Sequence, residues 1–402
     1  MTVRTTRRAF LSATMMAAAL AATACGSPQD TASGGGDAAP VKVGLVYSQS
    51  GALASYGKQY IEGFKAGLDF ATNGTGKVGD RKIEVTEVDD AGDPAKAVSA
   101  AKDLIGKGTK IIAGSTSSGV ALQVAPIAAQ NKVLFISGPA ATDAVTAANK
   151  YTFRSGRQSY QDVVTAKSFI GDPTGKKVVV FAQDGAFGDA NEAAVKAVIG
   201  GAGATVSSVR APASATEFTP FASQIKAAKP DLLFVAWAGT TAPAMWQTLD
   251  QQGVLASTTV VTGLDIRASW PTFGAAGSKI SFLSHWFDGA ADTEAAKAAK
   301  AAKAKIPGGT LDLFHPDGFA AAQMVVRAVQ EGGDDVDKMV KALEGWSFDG
   351  VKGKMTVRAE DHALLQPMFQ AKLTGSGTAY TATAQKTLTG DETAPPVAQM
   401  KG

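Results

Sequence analysis

The feature that most constrains this chain is a recurring alternation of short, strongly apolar runs with longer Ala-rich stretches of helical spacing. "VKVGLVYS" (41–48) reads as a strand, and Tyr56 to Ala71 has helical periodicity. "KIEVTEVDD" (82–90) follows, Pro94 opens the next helix at a position proline tolerates, and "KIIAGS" (110–115) and "VLFIS" (133–137) are further strands. The pattern resumes with "KKVVVFAQD" (176–184), "DLLFVAWAG" (231–239) and "TTVVTG" (258–263). Such βαβ units build an α/β fold with parallel sheets covered by helices on both faces. Runs such as "VVVF" and "LLFV", apolar at every position, are what a doubly covered sheet demands.

So many strands fit two sheets better than one, and "YTFRSGRQSYQD" (151–162) is where the chain is expected to pass from the first to the second. Beyond residue 285 helices return, followed by short strands near 347–358 and 367–374. The last stretch, "TGDETAPPVAQMKG", is poor in large apolar residues and reads as disordered.

The amino terminus is of another kind. "TTRRAFLSATMMAAALAATACGS" (5–27) runs from a twin arginine (Arg7, Arg8) through a short Ala-rich apolar segment to small residues and Cys25, the single cysteine of the chain. That is the layout of an export signal, too short and too weakly apolar to be kept as a span. Ala22-Thr23-Ala24-Cys25 resembles a lipoprotein cleavage box, with Ala22 where a leucine is usual; a secreted product cut after Ala24 is the alternative. The twin arginine also resembles the motif of an export route for folded proteins. Positions 26–40, rich in Gly, Ser, Asp and Ala, are a flexible tether.

Enzymatic chemistry is poorly provided for. The three histidines (His285, His315, His362) stand far apart, and no G-x-S-x-G elbow occurs. "GTGKVGD" lacks phosphate-loop spacing and precedes a strand, so it is a turn. A net charge of +3 does not suggest nucleic acid, and neither a cofactor nor a metal is expected. Hydroxylated residues do, however, recur just after strands, where an open α/β sheet presents its crevice. "AGSTSSGVALQVAP" offers Ser117 and Ser118 with the first amides of a helix, a setting for a carboxylate; a plain serine N-cap is the other reading. "GPAATDAV" (138–145) adds Thr142 and the backbone of Ala140 and Ala141, and "SQSGALASYG" (48–57) brings Tyr56 to the same edge.

These three segments, with "YTFRSGRQSYQD", "FAQDGAFGDAN", "KPDLLFVAWAG", "VVTGLD" and "FDGVKGKMTVRAEDHALLQPMF", resemble the periplasmic binding proteins of branched-chain amino acid and amide uptake systems. The resemblance covers about residues 41–375. It implies the type I fold, two Rossmann-like lobes joined by three crossings. Lobe one would take residues 41–157 and 286–343, lobe two 158–285 and 344–384, with 1–24 a signal, 25–40 the lipidated cysteine and tether, and 385–402 a disordered tail. It further implies that Ser118 and Thr142 hold a ligand carboxylate, that Tyr56 walls the side-chain pocket, that Phe187 and Trp237 close from the second lobe, and that Asp265 pairs with a ligand amine. An N-cap role for Asp265 and core packing for Trp237 are the bland alternatives.

Urea, amide and aromatic-acid binders share this fold, so side-chain specificity is open. The expected protein is a monomeric, lipid-anchored solute binder at the outer face of the cell membrane. It would deliver an amino acid or related amide to the permease subunits of an ABC transporter and catalyse nothing. The same fold also serves as the sensing part of signalling systems.

Overall fold

A computed structural model describes residues 39–305, 309–375 and 379–401. Cys25, the twin arginine and the tether up to residue 38 lie outside the described residues. The first six strands are β1 (Val41–Tyr47), β2 (Lys77–Val78), β3 (Arg81–Asp89), β4 (Ile111–Gly114), β5 (Leu134–Ser137) and β6 (Thr152–Arg154). They form one sheet in the order β2-β3-β1-β4-β5-β6, parallel except for β2. Between them run α1 (Ala54–Ala71), α2 (Pro94–Gly106) and α3 (Ser118–Asn131).

A period of two explains why these runs are apolar throughout. Ile111 and Ala113 enter a core shared with Tyr60 and Phe64 of α1, whereas Ile112 enters the core on the opposite face with Ala97 and Ala101 of α2 and Val120 and Val124 of α3.

The second sheet is built from β7 (Lys177–Gln183), β8 (Thr205–Ala211), β9 (Leu232–Ala236), β10 (Thr259–Gly263) and β11 (Ser281–Ser284), with α4 (Ser159–Ile170), α5 (Ala186–Val195), α6 (Thr219–Ala228), α7 (Ala242–Gln251) and α8 (Val254–Ser257). The chain then forms α9 (Glu294–Ala304), α10 (His315–Gly332) and α11 (Val336–Leu343), which return to the first lobe. A small antiparallel sheet follows, of β12 (Ser347–Gly350), β13 (Gly353–Val357) and β14 (Leu364–Leu365). Last come β15 (Met368–Thr374) and β16 (Thr381–Leu388), added antiparallel to the second sheet, whose order is β16-β15-β11-β10-β9-β7-β8. Val179 and Phe181 face one core of that sheet, and Val178 and Val180 the other.

The helices α1 and α10 cross so closely that glycine is required. A Cβ on Gly63 would run into the carbonyl oxygen of His315, and one on Gly318 into that of Tyr60.

Three passages link the lobes: 155–158 between β6 and α4, 285–293 between β11 and α9, and 366–367 between β14 and β15. The sequence reading sets the lobe boundaries at 157/158, 285/286 and 343/344. The third differs, because Phe348, Met355, Val357 and Leu364 pack in the core of the first sheet rather than joining the second lobe from residue 344 on. The expectation of a disordered tail is also overturned. After β16 the chain returns to the first lobe: the Arg358 guanidinium donates to the carbonyl of Pro395 (2.8 Å), the Ala398 amide to Asp361 (3.0 Å), and the Lys401 amide to the carbonyl of Ala147 (2.9 Å). A partly exposed guanidinium and a buried carboxylate order a segment that has little apolar area of its own. Among the described residues, no helix is long and apolar enough to cross a membrane.

Candidate functional site

In both sheets the strand order reverses beside an early strand, at β1 in the first and at β7 in the second, and the carboxyl ends of the neighbouring strands open onto one cleft of about 400 Å³. Its first-lobe wall is the entry to α3. Gly114 and Ser115 take left-handed conformations (φ +115° and +80°), which turn the chain out of β4 and present the first turn of the helix to the cleft. Ser117 stands at the N-cap position, yet its side chain makes no capping hydrogen bond, so the N-cap reading does not account for it. Ser118 accepts a hydrogen bond from the Thr142 amide through Oγ (3.2 Å), and its own hydroxyl hydrogen is left for another acceptor.

Seven of the nine residues singled out for ligand contact line this cleft: Tyr56, Ser117, Ser118, Ala141, Phe187, Trp237 and Asp265. Ala140 and Thr142 do not. Arg154, buried in the first lobe, donates to the carbonyl of Ala140 (2.9 Å) and to Thr146 Oγ1 (3.0 Å), and its guanidinium also reaches the carbonyl of Thr142. This draws the segment inward, so that Thr142 is only 2 % exposed and its hydroxyl accepts from the Ala144 amide (3.4 Å). Burial lowers the Arg154 pKa from 12.5 to about 10, with Asp143 acting the other way; the group stays charged at neutral pH and keeps its grip on these carbonyls.

The second-lobe wall is aromatic and acidic. Gly185, at φ +122°, turns the chain from β7 into α5 and places Phe187 in the first helical turn. Trp237 follows β9 and is half-buried. Its ring packs edge-on against Phe218 (5.3 Å between centroids) and beside Phe181 (5.1 Å), while Nε1 donates to Thr241 (3.0 Å). Core packing and cleft lining are therefore both true of Trp237, and its indole is a fixed wall.

Asp265 accepts at Oδ1 from the Tyr56 hydroxyl (2.7 Å) and from the Ile266 amide (2.7 Å). Burial raises its pKa, and the hydrogen bonds from Tyr56, Ile266 and Ser269 offset that only in part. Burial, together with the Asp265 charge, likewise raises Tyr56 well above the ordinary tyrosine value, which keeps the hydroxyl protonated as a donor.

The floor of the cleft was not foreseen from the sequence. Arg157 from the first passage, Asp162 from the first turn of α4, His285 from the second passage and Phe314 ahead of α10 all line it. Arg157 lies 3.3 Å from Asp162, donates to the carbonyl of Pro139 (2.8 Å) and faces the Phe314 ring. Burial lifts Asp162 from the usual 3.8 to about 6, against the pull of Arg157. Burial, aided by Lys352 and Arg157, drives His285 far below its ordinary value, so its imidazole is neutral at pH 7. Behind it Lys352 donates to Asp317 (2.7 Å) and to Gln366 of the third passage (2.7 Å) in complete burial. Charged residues in three distant segments converge here, and no local spacing announces them.

The family profile of the periplasmic binding proteins matches residues 40–379. A Leu/Ile/Val-binding protein homologue of Brucella melitensis is 26% identical over 338 residues, covering 82% of this chain and 90% of its own. A crystal structure of an ABC-type branched-chain amino acid transporter protein from Rhodopseudomonas palustris is 31% identical, with a TM-score of 0.75 over 90% of this chain and all (100%) of the other. A solute-binding protein of an ABC transporter from the same species, in complex with 4-hydroxybenzoate, shares the fold at 23% identity with a TM-score of 0.79, over 87% of this chain and 97% of its own. The type I architecture anticipated from the segments after β1, β4 and β5 is thus found across nearly the whole described chain, which belongs to the periplasmic binding protein family.

Proposed function

We propose that this protein captures a small organic carboxylate, an amino acid or a related amide, and presents it to the permease of an ABC transporter. The observation that carries this reading is the entry of α3. Open amides and the Ser117 and Ser118 hydroxyls, on the positive end of a helix, face the aromatic and acidic wall of Phe187, Trp237 and Asp265 across a single cleft. A carboxylate would sit on α3, an ammonium would meet Asp265, and the side chain would lie against Trp237. The two lobes would rock about the three passages to close over the solute.

The test is a thermal-shift screen with amino acids, amides, urea and small aromatic acids. A ligand of the folded state at a hundredfold excess over its dissociation constant adds about 2.7 kcal/mol of stability. A panel in which nothing raises the melting temperature overturns the assignment.

An aromatic acid is the second reading. It is favoured by the fixed, flat face of Trp237 and by the engagement of Asp265 with Tyr56, which meets part of the need for a positive partner. Family membership places the protein outside the cytoplasm. Attachment through a lipid on Cys25 and export by the twin-arginine route belong to the proposal: Cys25→Ser should abolish lipid labelling and release the protein into the medium, and labelling that persists would refute the anchor.

A further inference from the structure

The edge of the cleft formed by α1 holds a set of contacts that involve no solute. The Tyr56 hydroxyl, on a first-lobe helix, donates to Asp265 Oδ1 (2.7 Å) and accepts from the Gly239 amide (3.2 Å), and both partners belong to the second lobe. Tyr56 is only 7 % exposed, with its ring 4.6 Å from that of Phe314. Around it Leu53, Leu313 and Phe314 of the first lobe pack with Ala238 and Ile266 of the second. A second polar stitch lies alongside: Asp312 accepts from Gln59 (2.8 Å) and from the backbone amide of Arg267 (2.9 Å).

We infer that Tyr56 is a positioning residue that clasps the two lobes together, setting how tightly and how long any solute is held without choosing which solute is held. This rests on the reading of the cleft as a solute site. The physical ground is that a tyrosine hydroxyl has one hydrogen to donate, and here it goes to Asp265 while an oxygen lone pair takes the Gly239 amide. Little remains with which to read a ligand. Both bonds exist only while the lobes are together, so their free energy adds alike to every complex whose ligand brings no ammonium to Asp265. A bond to a buried carboxylate is also among the stronger kinds.

Tyr56→Phe keeps the ring against Phe314 and removes both bonds. Calorimetry and stopped-flow measurements with at least two chemically different ligands from the screen that carry no ammonium should show a similar loss of affinity, roughly tenfold or more for each, carried mainly by faster dissociation. A loss confined to one ligand, or no loss, overturns the clasp. A second arm needs no ligand: hydrogen exchange at the Gly239 amide should speed up in Tyr56→Phe, and an unchanged rate overturns the inference. Failure of the whole panel to bind the parent protein would sink the solute-binding reading while leaving this arm intact. Should Tyr56→Phe fold poorly, Ile266→Ala trims the same seam at a residue that does not line the cleft, and it should likewise weaken all ligands equally; unequal losses would again count against the clasp.

Discussion

Replacing Lys352 with methionine tests whether the ionic cluster beneath the cleft holds the lobes' junction together. The Lys352 ammonium and the Asp317 carboxylate are both fully buried (0% side-chain exposure) at 2.7 Å, and the second partner of Lys352, Gln366, lies on the passage between β14 and β15. Methionine has nearly the same length, so packing changes little. Asp317 Oδ2 already has no hydrogen-bond partner, and the carboxylate would then be left in a dry setting with its strongest neighbour removed. Breaking a buried pair in this way costs about 3–5 kcal/mol. For a folded body of roughly 360 residues, an unfolding entropy near 2.1 cal/mol/K per residue converts this into a fall in melting temperature of about 4–7 °C. Differential scanning calorimetry reads it directly. The double variant Lys352→Met/Asp317→Leu should recover most of the loss, because no uncompensated charge remains. A single variant that melts within a degree of the parent, or a double variant less stable than the single, would refute the reasoning.

Asp162→Asn should change the pH dependence of stability. Because burial raises the folded-state pKa to about 6, the stability contributed by Asp162 is full below pH about 4 and is lost as pH rises through about 6. The melting temperature of the variant relative to the parent should therefore climb between pH 4 and 7, and a pH-independent difference would disprove the assignment. Gly318→Ala should lower stability by more than about 1–3 kcal/mol, since its Cβ meets backbone that cannot move aside; chemical denaturation measures this. Ser118→Ala should weaken carboxylate ligands about tenfold in calorimetry, whereas Asp265→Asn should weaken amino acids by well over tenfold and aromatic acids far less, since a desolvated ammonium left unpaired costs about 2–5 kcal/mol. Equal losses for both ligand classes with Asp265→Asn would remove the amine-pairing role.

The central strands were legible because their two faces are both covered, which leaves an unbroken apolar run that few other structures tolerate. Edge strands gave no such signal. In β8 only Val209 and Ala211 are buried, and in β16 only Leu388, so "TVSSVRA" and "TATAQKTL" read as ordinary polar chain. The strand-end hydroxyls were legible by position, since the crevice of an open sheet has a fixed place. Their orientation was not: Thr142 turns inward because of Arg154, a residue twelve positions on whose side chain is buried beneath it. Likewise the floor of the cleft is assembled from Arg157, His285 and Phe314, with Lys352 behind it, and only the third dimension brings these together.

The return of residues 389–401 to the first lobe acts as a leash. The chain leaves the edge strand of the second sheet at Leu388, passes with Gly390 against the backbone of Leu365 and Gln366, and is hydrogen-bonded to the first lobe's Arg358 through Pro395. Between these points it is coiled, with the Thr393 amide donating to the carbonyl of Thr389. Six residues drawn straight reach about 20 Å. Any separation of the sheets at this edge would have to draw out that stretch and then strip Pro395, Ala398 and Lys401 from their holds, so the tail sets a limit on how far the cleft can open.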